Sequence, residues 1–120
     1  MKDKKEAGRI KRHRRVRKKV FGTAEVPRLC VHRSLKNIEA QLIDDIKQMT
    51  IFSLSTNSKE FKQKLAHRGN IKAASLLGEI FAREVQKRKL RKVVFDRGGY
   101  LYHGRVKAFA ESVRKGGLIF

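Results

Sequence analysis

Eleven residues near the carboxyl end of the chain, Asp96 to Val106, bring together side chains that could bind a ligand. Two adjacent glycines in this stretch permit positive φ angles and a close approach of the backbone to a partner. Tyr100 and Tyr102 can stack on bases or ribose, and His103 and Arg105 can donate to phosphates. The N–H groups of a following helix would also face an anion. The stretch therefore predicts a nucleic-acid-binding loop, with the alternative that the tyrosines are core residues and the glycines form only a turn.

Catalytic and metal-binding functions have less support in the sequence. Cys30 and His32 are two metal-ligand types, but the other histidines are scattered, no second cysteine exists, and a zinc site needs four ligands. No glycine pattern matches a phosphate-binding or dinucleotide-binding loop. Asp96 at the end of a predicted strand keeps a nuclease or other hydrolase open as a second class, since open α/β sheets often bind ligands there. Asp96 has no evident carboxylate partner in the sequence. Together with the lack of a metal-ligand set and of a phosphate-binding loop, this leads us to expect no catalytic residue, metal or cofactor.

The net charge indicates the class of partner. The chain has 31 lysines and arginines against 11 acidic residues, a formal charge of +20. Such an excess repels itself in the compact state and is typical of proteins that bind a polyanion. A free-standing protein that compacts DNA or RNA is an alternative, although it would need no tyrosine loop. The single cysteine favours a reducing compartment, and the lack of a run of roughly 20 apolar residues predicts no membrane partner.

The basic residues are concentrated at the N-terminus. Residues 1–20 have 11 lysines and arginines against Asp3 and Glu6, and only three sizeable apolar residues. We therefore expect a tail that is disordered or weakly helical alone and orders on an anionic surface, with a solvated helix face as the alternative. The predicted organisation is a basic arm, 1–22, and one globular domain, 23–120. The RNA-binding candidates in the arm are Arg9, Lys11, Arg12, Arg14, Arg15, Arg17, Lys18 and Lys19.

Alternation of apolar and polar residues predicts three strands after the arm. Residues 28–34 and 38–44 both alternate, and the turn residues between them indicate a β-hairpin. Residues 49–55 form a third β-rich run. The three strands predict an antiparallel meander with one apolar face and one mostly polar face.

Helical periodicity dominates the second half of the chain. A short helix is predicted over 57–65, a longer one over 70–88 with Asn70 as its cap, and a last one over 104–115. Residues 92–95 are predicted to form a short buried strand. Because a crossover helix leads into it, we expect this strand to lie parallel to a neighbouring strand. The predicted fold is α/β, a mixed sheet covered by helices. The expected buried face of the helix over 70–88 consists of Ile71, Ala74, Leu77, Gly78, Phe81 and Val85.

These segments resemble a known family. The stretch "FDRGGYLYHGRVKAFAESVRKGGLIF" resembles the C-terminal signature of the bacterial-type L-eighteen family of large-subunit ribosomal proteins. The segments "RLCVHRSLKNIEAQLID" and "GNIKAASLLGEIFAREVQKRKLRKVVFDRGG" and the basic arm occur in that family's order. The resemblance spans essentially the entire chain.

The resemblance implies a structural protein that binds 5S rRNA and helps attach it to 23S rRNA in the central protuberance. The implied partners are these two RNAs and neighbouring large-subunit proteins, with no small-molecule substrate, in a cytoplasmic bacterial or an organellar ribosome. It also implies a ribonuclease H-like topology without that fold's catalysis. Glu39 departs from the aromatic residue common in the family and is left out of the contact set, because an acid facing RNA is unfavourable. The implied contacts outside the arm are His32, Arg33, Gln41, Arg97, Tyr100, Tyr102, His103 and Arg105.

Overall fold

Three helices and a four-stranded sheet make up the part of the chain that the computed structural model describes, residues 4–58, 61 and 70–120. Six of the nine residues of the helix predicted over 57–65 lie outside the described residues. In chain order the elements are α1 (Lys4–Arg17), β1 (Arg28–Arg33), β2 (Ile38–Asp44), β3 (Met49–Ser55), α2 (Ile71–Lys87), β4 (Val94–Asp96) and α3 (Gly104–Lys115). None of the described helices is long and apolar enough to cross a bilayer.

The sheet has the strand order β3-β2-β1-β4. β1 and β2 pair antiparallel, as do β2 and β3, while β4 lies parallel to β1. The predicted α/β fold, with a meander and one parallel strand, is confirmed. The ribonuclease H-like topology stays a prediction. One feature that the sequence analysis did not anticipate is a parallel bridge between Lys92 and Ile119, which brings the end of the chain beside the approach to β4.

The period of two in the strands separates the two faces of the sheet as predicted. Leu29 and Val31 of β1 are buried on one face together with Ile38, Ala40 and Leu42 of β2. Cys30 and His32 lie on the other face, where Cys30 is half-buried and His32 is exposed. Because side chains alternate strictly along a strand, one face forms the core and the other is left for polar contacts.

Helices α2 and α3 cover the apolar face. The side chain of Asn70 accepts a hydrogen bond from the Ala73 N–H at 2.9 Å and so caps α2, as predicted. Gly78 allows the two helices to pack closely, since a Cβ there would lie 2.8 Å from the Phe109 carbonyl oxygen. The prediction for Ile71 was wrong, because its side chain is 57% exposed. It lies in the first turn, where helical side chains point back beyond the helix N-terminus and away from this core.

Aromatic side chains join the two helices to the sheet. Phe81 of α2 lies 5.0 Å from Phe52 of β3 and 6.0 Å from Phe109 of α3, measured between ring centroids. The contact with Phe109 is T-shaped, an arrangement that aromatic pairs prefer. The buried residues of α3 are the four expected from its periodicity: Val106, Phe109, Ala110 and Val113.

The N-terminal segment differs from the expected tail. Residues Lys4–Arg17 form an α-helix that contacts the globular part of the chain. The expectation of a tail rested on its lack of an apolar face, but this helix is attached through hydrogen bonds and ion pairs. The division into an arm, 1–22, and a globular domain, 23–120, stays a prediction.

Candidate nucleic-acid interface

The two adjacent glycines of the C-terminal loop lie directly under helix α1. Gly98 and Gly99 have φ angles of 69° and 80°, which residues other than glycine rarely adopt. A Cβ atom on Gly99 would collide with the carbonyl oxygen of Arg9 and lie 2.8 Å from the His13 backbone nitrogen. The close approach that the glycines were predicted to permit is therefore made by the chain's own helix.

Two arginines of α1 donate to the loop backbone. The Arg9 guanidinium donates from Nη1 to the Gly98 carbonyl oxygen, and Arg12 donates from Nε to the Gly99 carbonyl oxygen, both at 2.9 Å. Arg9 also pairs with Glu6 at 2.6 Å, and this hydrogen bond raises the pKa of Arg9. Arg9 thus has a structural task, while Arg12 performs a similar one from an exposed position.

Asp96 is the buried centre of the attachment. Its Oδ2 accepts from Arg28 Nη1 at 2.7 Å and contacts His13 Nε2 at 2.9 Å, while its Oδ1 accepts from the Gly98 N–H at 2.9 Å. Burial alone would raise the pKa of Asp96, but the hydrogen bonds from His13, Gly98 and Arg28 outweigh it and lower the pKa. The carboxylate therefore stays charged and connects α1, β1 and the loop.

A second aspartate extends this network to the end of α1. Arg28 donates to Asp45 from Nε at 3.0 Å and from Nη2 at 3.1 Å, a bidentate pair. Asp45 also accepts from the Gly22 N–H at 2.8 Å and pairs with Arg17 at 3.4 Å. The Arg17 guanidinium further donates to the Val20 carbonyl oxygen at 2.6 Å. Arg28 therefore bridges two carboxylates that each bind one residue of α1.

His13, Cys30 and Asp96 bring three potential metal-ligand atoms within 4.8 Å of one another. This group differs from the pair of Cys30 and His32 considered in the sequence, because the potential ligand atom near Cys30 belongs to His13. The donor set fits a cation poorly. Arg28 already occupies the Asp96 carboxylate, and burial raises the pKa of Cys30 to about 12, whereas a thiol must lose its proton to bind a metal. The arrangement is suited to holding α1.

Tyr100 is buried, which favours the alternative of a core residue over the predicted stacking platform. It is 7% exposed, and its hydroxyl donates to the Arg33 carbonyl oxygen at 3.1 Å. The guanidinium groups of Arg9 and Arg33 lie over its ring, 5.0 and 4.8 Å from the centroid. With its ring covered in this way, Tyr100 joins α1, β1 and the loop and positions Arg33.

The other predicted residues of the loop and sheet remain accessible to different degrees. Tyr102 is 38% exposed, and the side chains of Arg97, His103, His32 and Arg33 are exposed as well. Gln41 is half-buried and donates to Glu39 at 2.8 Å. Arg33, His103 and Arg105 come together at one cleft, whereas Arg97 and Gln41 do not line it.

The predicted residues of the arm divide into two groups. Arg9, Arg12 and Arg17 bind the body of the protein, as described above. The remaining candidates have exposed side chains and lie on α1 or in the turn directly after it, beside the polar face of the sheet. They are Lys11, Arg14, Arg15, Lys18 and Lys19.

The network that attaches α1 was not among the features predicted from the sequence. Arg28, Asp45 and His13 are far apart in the chain, and no motif connects them. The only available signal was Asp96, whose position after a strand was noted as a potential catalytic feature. The structure shows that the partners of Asp96 are the Arg28 guanidinium and the His13 ring, in place of the carboxylate partner that hydrolytic chemistry was expected to need.

Comparison with known proteins places the chain in a family. The family model described as ribosomal L18 of archaea, bacteria, mitochondria and chloroplast matches residues 3–120. The large ribosomal subunit protein uL18 of Thermotoga petrophila is 52% identical over 119 residues, covering 99% of this chain and 98% of the relative. The proteins of the same name from Clostridioides difficile and Pelotomaculum thermopropionicum are 49% and 56% identical, over 97% and 93% of this chain and 95% and 92% of their own length.

The chain belongs to this ribosomal protein family, which confirms the resemblance inferred from its C-terminal signature. The family consists of structural proteins and not of enzymes. The absence of a catalytic role thus follows from family membership.

Proposed function

We propose that this protein is a structural constituent of the large ribosomal subunit, where it binds 5S rRNA and helps attach it to 23S rRNA in the central protuberance. Its place would be the ribosome of the bacterial cytoplasm, since the named relatives are bacterial large-subunit proteins. Neighbouring large-subunit proteins are further partners in this proposal. The observation that carries it is the row of five exposed cations, three on α1 and two in the turn directly after it, held beside the polar sheet face.

Docking of α1 supports tight binding of an RNA backbone. A disordered arm would lose conformational entropy on binding, whereas a helix already held by Asp45 and Asp96 loses less. The exposed lysines and arginines then contact phosphates, which supply most of the affinity of proteins for nucleic acids. The RNA-binding surface we propose therefore begins on the outward side of α1.

The loop and the polar sheet face would select the shape of the RNA. Tyr102 and His103 project from the loop that α1 covers, and His32 lies 6.1 Å from the Tyr100 ring at the adjacent end of β1. Exposed rings and amides of this kind recognise unpaired bases and ribose hydroxyls. Gln41, one strand further, would add a polar contact on the same face as Cys30.

The test compares four charges at the end of α1 and in the turn after it with four charges elsewhere. Replacing Arg14, Arg15, Lys18 and Lys19 by alanine should weaken binding of 5S rRNA and reduce the slope of log affinity against log salt by about 3, because each phosphate contact contributes roughly 0.7 to 0.9. Fluorescence-anisotropy titrations at several salt concentrations measure both quantities. A structured control RNA of similar length reports the preference for 5S rRNA.

The matched control removes the same charge from the opposite side of the sheet. Arg83, Lys87, Lys107 and Lys115 are exposed on α2 and α3, which cover the apolar face. Their replacement by alanine should leave the slope nearly unchanged. Equal losses in the two quadruple variants would contradict the proposed surface. Equal affinity of the unmodified protein for 5S rRNA and for the control RNA would instead favour a non-specific RNA-compacting protein.

A further inference from the structure

A cleft opens between the first turns of α2 and α3, beside the end of β1. Its volume is about 690 Å³, which lies in the range of pockets that hold small organic molecules. The cleft is lined by one residue of β1, two of α2, and others from the loop and the start of α3. Those that matter here are Arg33, Ile71, Lys72, Leu101, His103 and Arg105.

One part of the cleft is apolar and exposed. The side chains of Ile71 and Leu101 are 57% and 69% exposed, although both are large and hydrophobic. Ile71 is the residue whose burial was wrongly predicted from helical periodicity. Covering two such side chains with a flat ring would remove apolar surface from water, which is favourable in proportion to the area covered.

The other part of the cleft is cationic. Arg33, Lys72 and Arg105 come from three different elements, and no carboxylate is among the described residues of the lining. Within the described part of the chain, Nη1 of Arg105 is buried and has no hydrogen-bond partner. Burial, followed by the positive charge of Arg33, lowers the pKa of Arg105. Because a guanidinium stays protonated in proteins, such a group is stabilised by an anion.

We propose that this cleft holds one unstacked nucleotide of the bound RNA, with its phosphate on Arg33, Lys72 and Arg105 and its base against Ile71 and Leu101. The inference rests on the proposed function in taking RNA as the partner, and it adds a subsite apart from α1. A phosphate ion alone would leave the apolar side chains uncovered, and a purely apolar ligand would leave three cations unpaired. His103 makes no side-chain capping bond at the start of α3, so backbone N–H groups there can add to the phosphate contacts.

The first test uses hexauridylate as the probe and an abasic hexamer of equal charge as its control. Hexauridylate should shift the methyl signals of Ile71 and Leu101 and the amide signals of Gly104 and Arg105 in NMR spectra. The abasic hexamer should shift only the amides and bind at least five-fold more weakly, because it lacks the base that would contact the apolar side chains. Unchanged methyl signals with hexauridylate, or the full set of shifts with inorganic phosphate alone, would overturn the proposal.

The second test uses 5S rRNA and two single variants. Leu101→Ser removes an exposed side chain without opening the core, and Arg105→Gln removes the buried cation. We expect each to weaken 5S rRNA binding about five-fold or more, with Ile119→Ser and Arg83→Gln as exposed controls outside the cleft. Parental affinity in both cleft variants would overturn the subsite and leave the proposed function standing. Lack of preference for 5S rRNA in the parent would refute the proposed function, while the hexauridylate experiment would still decide the subsite.

Discussion

Two sides of the same sheet are covered by helices in different ways. On one side, α2 and α3 bury apolar side chains such as Phe81 and Phe109 against the strands. On the other side, α1 is held by ion pairs and hydrogen bonds centred on Asp96 and Asp45. The comparison shows why a highly basic helix can be part of a folded protein: a few of its cations hold it in place, and the others remain exposed. The apolar side provides stability, and the polar side presents charge.

The largest expected effect is on the apolar side. Phe81→Ala should lower the free energy of unfolding by about 3–5 kcal/mol, because it removes a fully buried ring that contacts Phe52 and Phe109. Urea denaturation measures this change. Phe21→Ala is the matched control, since Phe21 is exposed and its replacement should alter the free energy by less than about 0.5 kcal/mol. A similar small effect at both positions would show that the register assigned to α2 is wrong.

A smaller effect is expected where α1 meets the loop. Gly99→Ala should cost about 1–3 kcal/mol and release α1, because its positive φ disfavours a side chain and the added Cβ meets the helix backbone. Gly104→Ala is a close control, since Gly104 also has a positive φ but a Cβ there would meet no other described part of the protein within 4 Å beyond its chain neighbours and its own helix. Backbone strain is common to both variants, but only Gly99→Ala places a Cβ against the backbone of α1. We therefore expect only Gly99→Ala to increase amide hydrogen exchange in α1. Unchanged exchange there would contradict the close contact.

The smallest expected effect is an acid-dependent loosening of α1. The pKa values of Asp96 and Asp45 are lowered in the folded protein, so both groups stabilise it above the ordinary aspartate pKa of roughly 4. This contribution should be lost as the pH falls below 4 through their lowered pKa values. Amide exchange of α1, corrected for intrinsic rates, should therefore rise relative to that of α2 over this interval. The same change of amide exchange with pH in α1 and α2 would contradict the polar attachment of α1.

Local patterns in the sequence predicted most of the fold and less of the site. The alternation in β1 and β2 and the period of α3 depend on neighbouring residues, so they are visible in the sequence. The attachment of α1 is not, because it joins His13 and Arg17 to Asp96 and Asp45 across the chain and uses residue types common on any basic surface. Tyr100 illustrates the same limit, since tyrosine suits both a core and a stacking site and only its contacts distinguish them.

The most direct test of this account is amide hydrogen exchange of residues 4–17 in the RNA-free protein, repeated after 5S rRNA is added. Because α1 is already attached through Asp96, Gly98 and Gly99, we predict slower exchange than in an unfolded chain before RNA is present, and a further decrease with RNA. Exchange at the rates of an unfolded chain in the free protein, with protection only on the RNA, would contradict the account. It would show that the arm is a tail that the RNA orders.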